Sequence, residues 1–482
     1  MPKPNLLFLF TDEQRADTLA AYGNRRIRMP NLNGLADQSV VFEQAYVTEP
    51  ICTPSRSSLL TGLYPHTNGC TANNSPLKPE TPCFAEMLDR DYATGYYGKW
   101  HLGDEIFAQH GFQHWRSIED DYIRYYSPGR DRTARSTYHH FLIENGFQPD
   151  KGDLFSRWMA ARLPEPFGKP AYLAREACRF IEENRARPFA LFVNFLEPHM
   201  PFRSPRDEDY SPEEITLPAN FDFPPTPEQP LKTRFYCDLF RTAGHHGKVY
   251  REESDWREVI ARYWGMCGLV DTHAGAILDA LERHGLAANT IVVFTSDHGD
   301  MMGSHRLLTK AVMFEEAARV PLILRLPGRR TGRRVRGPVS QIDLLPTLLE
   351  LMDQPVPSLV QGSSLRPLLE SGTERIEKDV FIEWNGDSVG SYGSDGRPLP
   401  DELASKYDAA EVLRAIEDPI RTVVTPDGWK LNWSVLGEHE LYNLTEDPLE
   451  TKNLAARPDM RPQIEALHSR IRRWQERTGD CV

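Results

Sequence analysis

The stretch NLLFLFTDEQR, Asn5–Arg15, carries the reading on which the fold depends. Its apolar run, NLLFLF over Asn5–Phe10, shows no alternation and is followed at once by the acidic pair Asp12 and Glu13. A strand buried on both faces of a parallel sheet has this texture, because neither face meets solvent. The run is far shorter than the ~20 residues of a membrane-spanning helix. No small-residue cleavage site follows it, so it does not read as a signal peptide. A buried first strand carries with it the expectation of a cytoplasmic protein.

Working outward, the same texture recurs at YATGYYG (Tyr92–Gly98), FALFVNF (Phe189–Phe195), TIVVFTS (Thr290–Ser296) and VPLILRL (Val320–Leu326). Helical periodicity separates these runs, most clearly at Trp256–His284, which ends in a His-Gly-Leu stop, and at Ile342–Met352. Strand and helix in alternation imply an α/β fold: a large mixed, mostly parallel sheet sandwiched by helices. Two stretches leave the pattern, Asp104–Lys169 and Ser204–Lys232, and long excursions of that kind are usually functional or mobile. Beyond Glu374 the texture changes. VFIEW and TVVTPDGWKLNWSV, with Asp427-Gly428 as a hairpin turn, predict a small antiparallel sheet. An amphipathic helix at about Met460–Arg477 closes the chain. The expected division is therefore a catalytic α/β domain over 1–374 and a small α+β subdomain over 375–482.

The chain has 482 residues and a formal net charge of −13, with 40% hydrophobic and 26% charged residues. No basic stripe offsets that charge, which argues against a nucleic-acid partner, and no segment is built for a membrane. An anionic substrate must then be drawn in by a local positive pocket. The seven cysteines are odd in number and form no CxxC pair, as reduced thiols do in the cytosol. The glycosylation patterns at Asn73, Asn432 and Asn443 read as chance matches in such a chain.

Ligands of an α/β sheet gather beyond the carboxyl ends of its strands. Asp12 and Glu13 stand at one such end, Asp297 and His298 at another, and together they suit a hard divalent cation. Singly, each is more often a cap or a structural group; the case rests on convergence of the two strand ends. Lys99 and His101 follow a third run, His199 a fourth, and Lys310 lies shortly after Asp297. Cys52 is harder to place. It stands in PICTPSRSSLL (Pro50–Leu60), flanked by a proline two residues away on either side and by Arg56 four residues on. An inert core cysteine does not explain those offsets.

The blocks CTPSR with SSLLTG, YGKWHLG, EPHMPF, TSDHGDMMGSH and ELYNLTEDPLETKNL resemble, in order, the recurring segments of the formylglycine-dependent sulfatases of the alkaline-phosphatase-like superfamily. The resemblance runs from about Asn5 to Leu454. It implies that a maturation enzyme oxidises Cys52 to formylglycine, whose hydrate carries two hydroxyls. It also implies that Asp12, Glu13, Asp297 and His298, with residue 52, hold one divalent cation. Arg56 would stabilise the hydrate, while Lys99 and Lys310 would neutralise charge on the transferring group. His199, with Lys310, would protonate the leaving alcohol, and His101 would take the proton that releases sulfate.

Glu13 departs from the family's commoner Asp and His298 from its commoner Asn, with Gln14 the alternative to Glu13. Calcium is expected first, with magnesium and manganese open. The implied substrate is a carbohydrate or a small aryl or alkyl sulfate monoester. Phosphonate monoester and phosphodiester hydrolases of the same superfamily form the alternative, because their substrates are also tetrahedral anions. Asp120–His140, the Pro-rich stretch after His199, and His305 are the candidate contacts to the alcohol. A non-catalytic member that only binds sulfated ligands would lack at least one of the six catalytic positions; all six are present.

Overall fold

The computed structural model describes residues 2–330, 332–387 and 398–482. Eight strands form the main sheet: β1 (Asn5–Asp12), β2 (Val40–Tyr46), β3 (Ala93–Gly98), β4 (His114–Arg116), β5 (Phe189–Pro198), β6 (Thr290–Ser296), β7 (Arg319–Arg325) and β8 (Arg333–Ser340). Their order is β4-β3-β5-β1-β6-β7-β2-β8. β1 lies at the centre, parallel to both neighbours, with Leu6 opposite Ala190 and Ile291.

Alternate residues of β1 feed two separate cores, which is why the run is apolar throughout. Leu7 and Leu9 pack into a core that includes Leu173 and Ala177 of the helix Lys169–Glu183 and Val270 and Ile277 of the helix Glu253–Arg283. Leu6, Phe8 and Phe10 join Leu59 and Leu60 of the helix Cys52–Thr61 and Leu345 and Leu348 of the helix Leu344–Leu351. The sheet is thus sandwiched, as expected.

One expectation is corrected. β7 was read with the parallel strands, but it runs antiparallel to both β6 and β2. A continuous apolar run reports burial on two faces and says nothing of direction. The connection from Ser296 to Arg319 contains no other strand, and β7 leaves it beside β6 running the opposite way. β2, β4 and β8 were not anticipated. β2 carries Glu43 and Gln44 across a register shift, β4 has three residues, and β8 is an edge strand with Arg333, Arg334 and Arg336 in its first half.

The second sheet is antiparallel, with order β12-β11-β10-β9: β9 (Val380–Trp384), β10 (Ile420–Val424), β11 (Trp429–Ser434) and β12 (Glu440–Asn443). Gly428, at φ 89°, makes the turn between β10 and β11. The closing helix, Arg461–Thr478, buries Leu467, Ile471 and Trp474 against Val423, Leu431 and Leu441. Val380, Ile382 and Trp384 of β9 belong to the same core as Leu7 and Leu9, so the two sheets share apolar packing. Among the described residues, no helix is long and apolar enough to cross a membrane.

Candidate active site

Four parallel strands, β3, β5, β1 and β6, deliver charged residues at or just past their carboxyl ends. Asp12 closes β1, Asp297 follows β6, Lys99 follows β3 and His199 follows β5. The Asp297 amide donates to the Thr11 carbonyl at 3.0 Å, which sets the two acidic strand ends side by side. Cys52 is the first residue of its helix, whose side chains are all buried, and its Sγ lies 3.8 Å from Asp12 Oδ1 and 3.2 Å from His298 Nε2. Burial, and then the Asp12 charge, push the Cys52 thiol far up. A thiol so placed is a poor nucleophile.

Arg56 is one turn further along that helix and fully buried. Its Nε donates to Asp297 Oδ2 at 2.8 Å and its Nη2 to Asp12 Oδ2 at 2.9 Å. Its Nη1 donates to the Lys99 carbonyl at 2.6 Å and to Asn194 Oδ1 at 2.8 Å. Lys99 Nζ reaches the same Asp12 Oδ2 at 2.6 Å. Burial opposes charge on both cations, yet the carboxylates outweigh it and both are held above their ordinary values. Asp12, under the opposing influence of Lys99, His199 and Arg56, is held well below the usual carboxylate range despite complete burial.

His298 Nδ1 lies 2.9 Å from the Gly299 carbonyl, which only an N–H can satisfy. Nε2 is therefore the free lone pair, and it faces Cys52 and Asp12. Asp12, Cys52, Asp297 and His298 offer donor atoms that all lie within 4.8 Å of one another. Two carboxylates, an imidazole nitrogen and one further atom suit a divalent cation, so the donor set fits the implied metal.

Glu13 belongs to a different grouping. Its backbone is left-handed (φ 67°), and its carboxylate forms an ion pair with Lys310 and lies 3.5 Å from His199 Nε2. The donor set that includes it is Asp12, Glu13 and His199. Gln14, the alternative, donates from its side chain to Thr18 Oγ1 at 2.9 Å, while its Oε1 is buried without a partner. Burial lowers Lys310 to about 8, with Asp12 pulling the other way.

The histidines are oriented by neighbours that the sequence did not single out. His101, also left-handed (φ 61°), presents Nε2 to Asn74 Oδ1 at 3.0 Å, leaving Nδ1 buried and unpartnered. Burial, with Lys99 and Arg56, holds His101 well below its ordinary value, so it is a neutral base. The backbone amides of Trp100 and His101 both donate to Glu105, at 2.7 Å each. His199 Nδ1 faces the Met200 carbonyl at 2.7 Å. The Tyr122 ring, from the Asp120–His140 stretch, packs 4.5 Å from His101. Asn74, Glu105 and Asn194 carry no sequence signal beyond proximity to a motif.

A cleft of about 540 Å³ meets the cluster at Lys310; Ile51, Phe235, Tyr236, Phe240 and His245 also line it. Its wall comes from the helix Leu231–Thr242 and the loop after it, beyond most of the Pro-rich stretch expected to contact the alcohol. His305 does not serve the pocket. Its Nδ1 faces the Phe223 carbonyl at 2.7 Å and its Nε2 the Leu449 carbonyl at 3.0 Å, and the ring stacks on Phe314.

The Sulfatase family model matches residues 4–354. An ulvan-active sulfatase from Formosa agariphila is 26% identical over 99% of this chain and 82% of its own length. An N-acetylglucosamine-6-O-sulfatase from Bacteroides thetaiotaomicron is 27% identical over 99% of this chain and 87% of its own. Among solved structures, a phosphonate monoester hydrolase from Silicibacter pomeroyi superposes with a TM-score of 0.79 at 21% identity, covering 98% of this chain and 96% of that one.

Proposed function

The chain belongs to the sulfatase family, and from that premise we propose that it hydrolyses an organic sulfate monoester at the Cys52 cluster, using a formylglycine made from Cys52 and one divalent cation. The carrying observation is that Cys52 Sγ stands at a helix start, 3.2 Å from His298 Nε2 and 3.8 Å from Asp12 Oδ1, with Arg56 and Lys99 sharing the Asp12 carboxylate.

When bound, the cation polarises the sulfuryl oxygens and favours ionisation of a hydroxyl beside it. A hydrated aldehyde at residue 52 would supply one hydroxyl to attack sulfur, displacing the alcohol, and a second whose deprotonation would expel sulfate. Asp12, Asp297 and His298 are the side chains that would hold the ion, with residue 52. Three carboxylates (Asp12, Glu13, Asp297) face three cations (Arg56, Lys99, Lys310), so the side chains sum to zero charge. A dication then leaves the site positive, which draws in an anionic ester against the acidic surface of the protein. Lys310, paired with the Glu13 carboxylate, protonates the leaving alcohol, and His199, which burial holds neutral, stands beside the same carboxylate. His101 takes the second proton at Nδ1, the atom that its bond to Asn74 leaves free.

The alcohol enters by the 540 Å³ cleft, whose mixed aromatic and polar wall accepts a saccharide or a small aryl or alkyl group. Two measurements test the reading. Peptide mass analysis of the segment holding Cys52, from a host with the maturation enzyme, is expected to find the aldehyde; a wholly unmodified thiol overturns it. Matched p-nitrophenyl sulfate and phenylphosphonate esters are expected to show preference for the sulfate. A clear preference for the phosphonate would replace the substrate class and leave the site standing.

A further inference from the structure

Much of the excursion Asp104–Lys169 is tied to one carboxylate, that of Glu119, which lies just past β4 and is buried. Arg157 Nε donates to its Oε2 at 2.5 Å, and Lys169 Nζ pairs with its Oε1. Arg157 opens the short helix Arg157–Ala160, and Lys169 opens the helix Lys169–Glu183 that flanks the sheet. Three separate points of the excursion are thus fastened to the fold at a single group. Burial opposes charge on Glu119, but Arg157 and Lys169 outweigh it and hold the carboxyl at about 2, so the tie is ionised at neutral pH.

The other end of this chain of contacts is Tyr122. Arg157 Nη2 donates to its hydroxyl at 2.8 Å, and the tyrosine ring lies against the His101 imidazole, with centroids 4.5 Å apart and planes at 39°. Among the described residues the His101 side chain makes one hydrogen bond, from Nε2 to Asn74 Oδ1 at 3.0 Å, while Nδ1 is buried without a partner. A single bond lets the ring swing about it. An aromatic ring packed on the imidazole removes that freedom and keeps water from that side. Tyr122 is half-buried and belongs to none of the four apolar cores among the described residues, so core packing does not account for its place. We propose that Tyr122 is a positioning residue for the base His101, held there by Arg157, Glu119 and Lys169. The inference rests on the proposed reaction, in which His101 takes the proton whose loss releases sulfate. Arg157 has a second effect, since its charge adds to burial, Lys99 and Arg56 in keeping His101 neutral.

The test compares Y122A, Y122F and R157K with the wild type by two readouts. The first is the nitrogen-15 spectrum of ring-labelled histidine in the full chain with Cys52 still a thiol, the His101 signal being assigned by its loss in H101N. Wild type is expected to show one neutral tautomer with the proton on Nε2. Y122A should move toward the averaged shifts of a mobile imidazole, and Y122F should stay near wild type. R157K keeps a charge beside Glu119 but cannot reach Tyr122 as well, so it gives the same direction as Y122A should that variant not fold. The second readout is turnover of p-nitrophenyl sulfate by the mature enzyme. Release of the alcohol does not use His101, whereas release of sulfate does. Y122A is therefore expected to lower kcat about 10-fold or more with kcat/KM nearly unchanged, and to release one equivalent of nitrophenolate quickly before the slow steady rate. A general structural defect would not separate the two steps. Identical His101 spectra in wild type, Y122A and R157K overturn the proposal. A fall in kcat/KM does so too, by making Tyr122 a substrate contact, as does a Y122F as slow as Y122A, by giving the role to the hydroxyl. A wild type inactive on sulfate esters would remove the proposed reaction and leave the spectrum to decide the positioning.

Discussion

Arg56 commits all three guanidinium nitrogens to Asp297, Asp12, Asn194 and the Lys99 carbonyl, with no exposure to water. Replacing it with alanine leaves two buried carboxylates facing fewer cations. Breaking a buried pair in this way costs about 3–5 kcal/mol. R56A is therefore expected to unfold at markedly lower denaturant, with R56K intermediate because a lysine cannot reproduce the fork. A denaturation midpoint unchanged in R56A would refute that account. Asn74 makes a separable case, since it touches the His101 ring and no proposed metal ligand. If it fixes the tautomer of the base, N74A should lower kcat by about 10²-fold, the low end of general-base catalysis, with KM nearly constant. A change confined to KM would instead make Asn74 a substrate contact.

At the level of elements, the site depends on how closely β3 and β5 approach at their carboxyl ends. Gly98 has φ 123°, and a Cβ there would lie 1.9 Å from the Asn194 carbonyl oxygen. Substitution must part the two strands, and the next residue is Lys99. G98A is expected to cost several kcal/mol, of order 1–3 from the backbone conformation plus the clash, and to lower activity beyond what stability explains. Melting temperature and kcat measured on the soluble fraction check this; wild-type values for both would show that the strands need not touch. All ten residues of the helix Cys52–Thr61 are buried because it packs between the main sheet and the helix Leu344–Leu351.

For the whole molecule, we propose a division at 374/375 in which the C-terminal part is a subdomain that shares a core with the first. Val380, Ile382, Trp384, Val424 and Tyr442 all pack in the core that holds Leu7 and Leu9. A fragment spanning 1–374 would expose that face, so it is expected to be insoluble or molten; a cooperative melt near that of the full chain would show two independent units. The proposed cation is also a linkage partner of the folded state. At 100 times its dissociation constant a native-state ligand adds about 2.7 kcal/mol. Chelation should therefore lower the melting temperature and abolish turnover together, and calcium, magnesium or manganese readdition ranks the ions. A melting temperature indifferent to both would remove the ion from the cluster.

The sequence was legible where the physics is local. Buried strands must be apolar on both faces, so NLLFLF, FALFVNF and TIVVFTS announced the centre of the sheet. The ordered blocks likewise announced which charged residues lie at strand ends. What remained hidden depends on segments distant in the chain. The direction of β7, the Glu13–Lys310 pair, the tautomers set by Gly299 and Asn74, and the cleft wall at Leu231–Thr242 were decided only in the tertiary structure. An apolar run has the same composition in either direction, and a carboxylate takes whichever cation packing brings nearest.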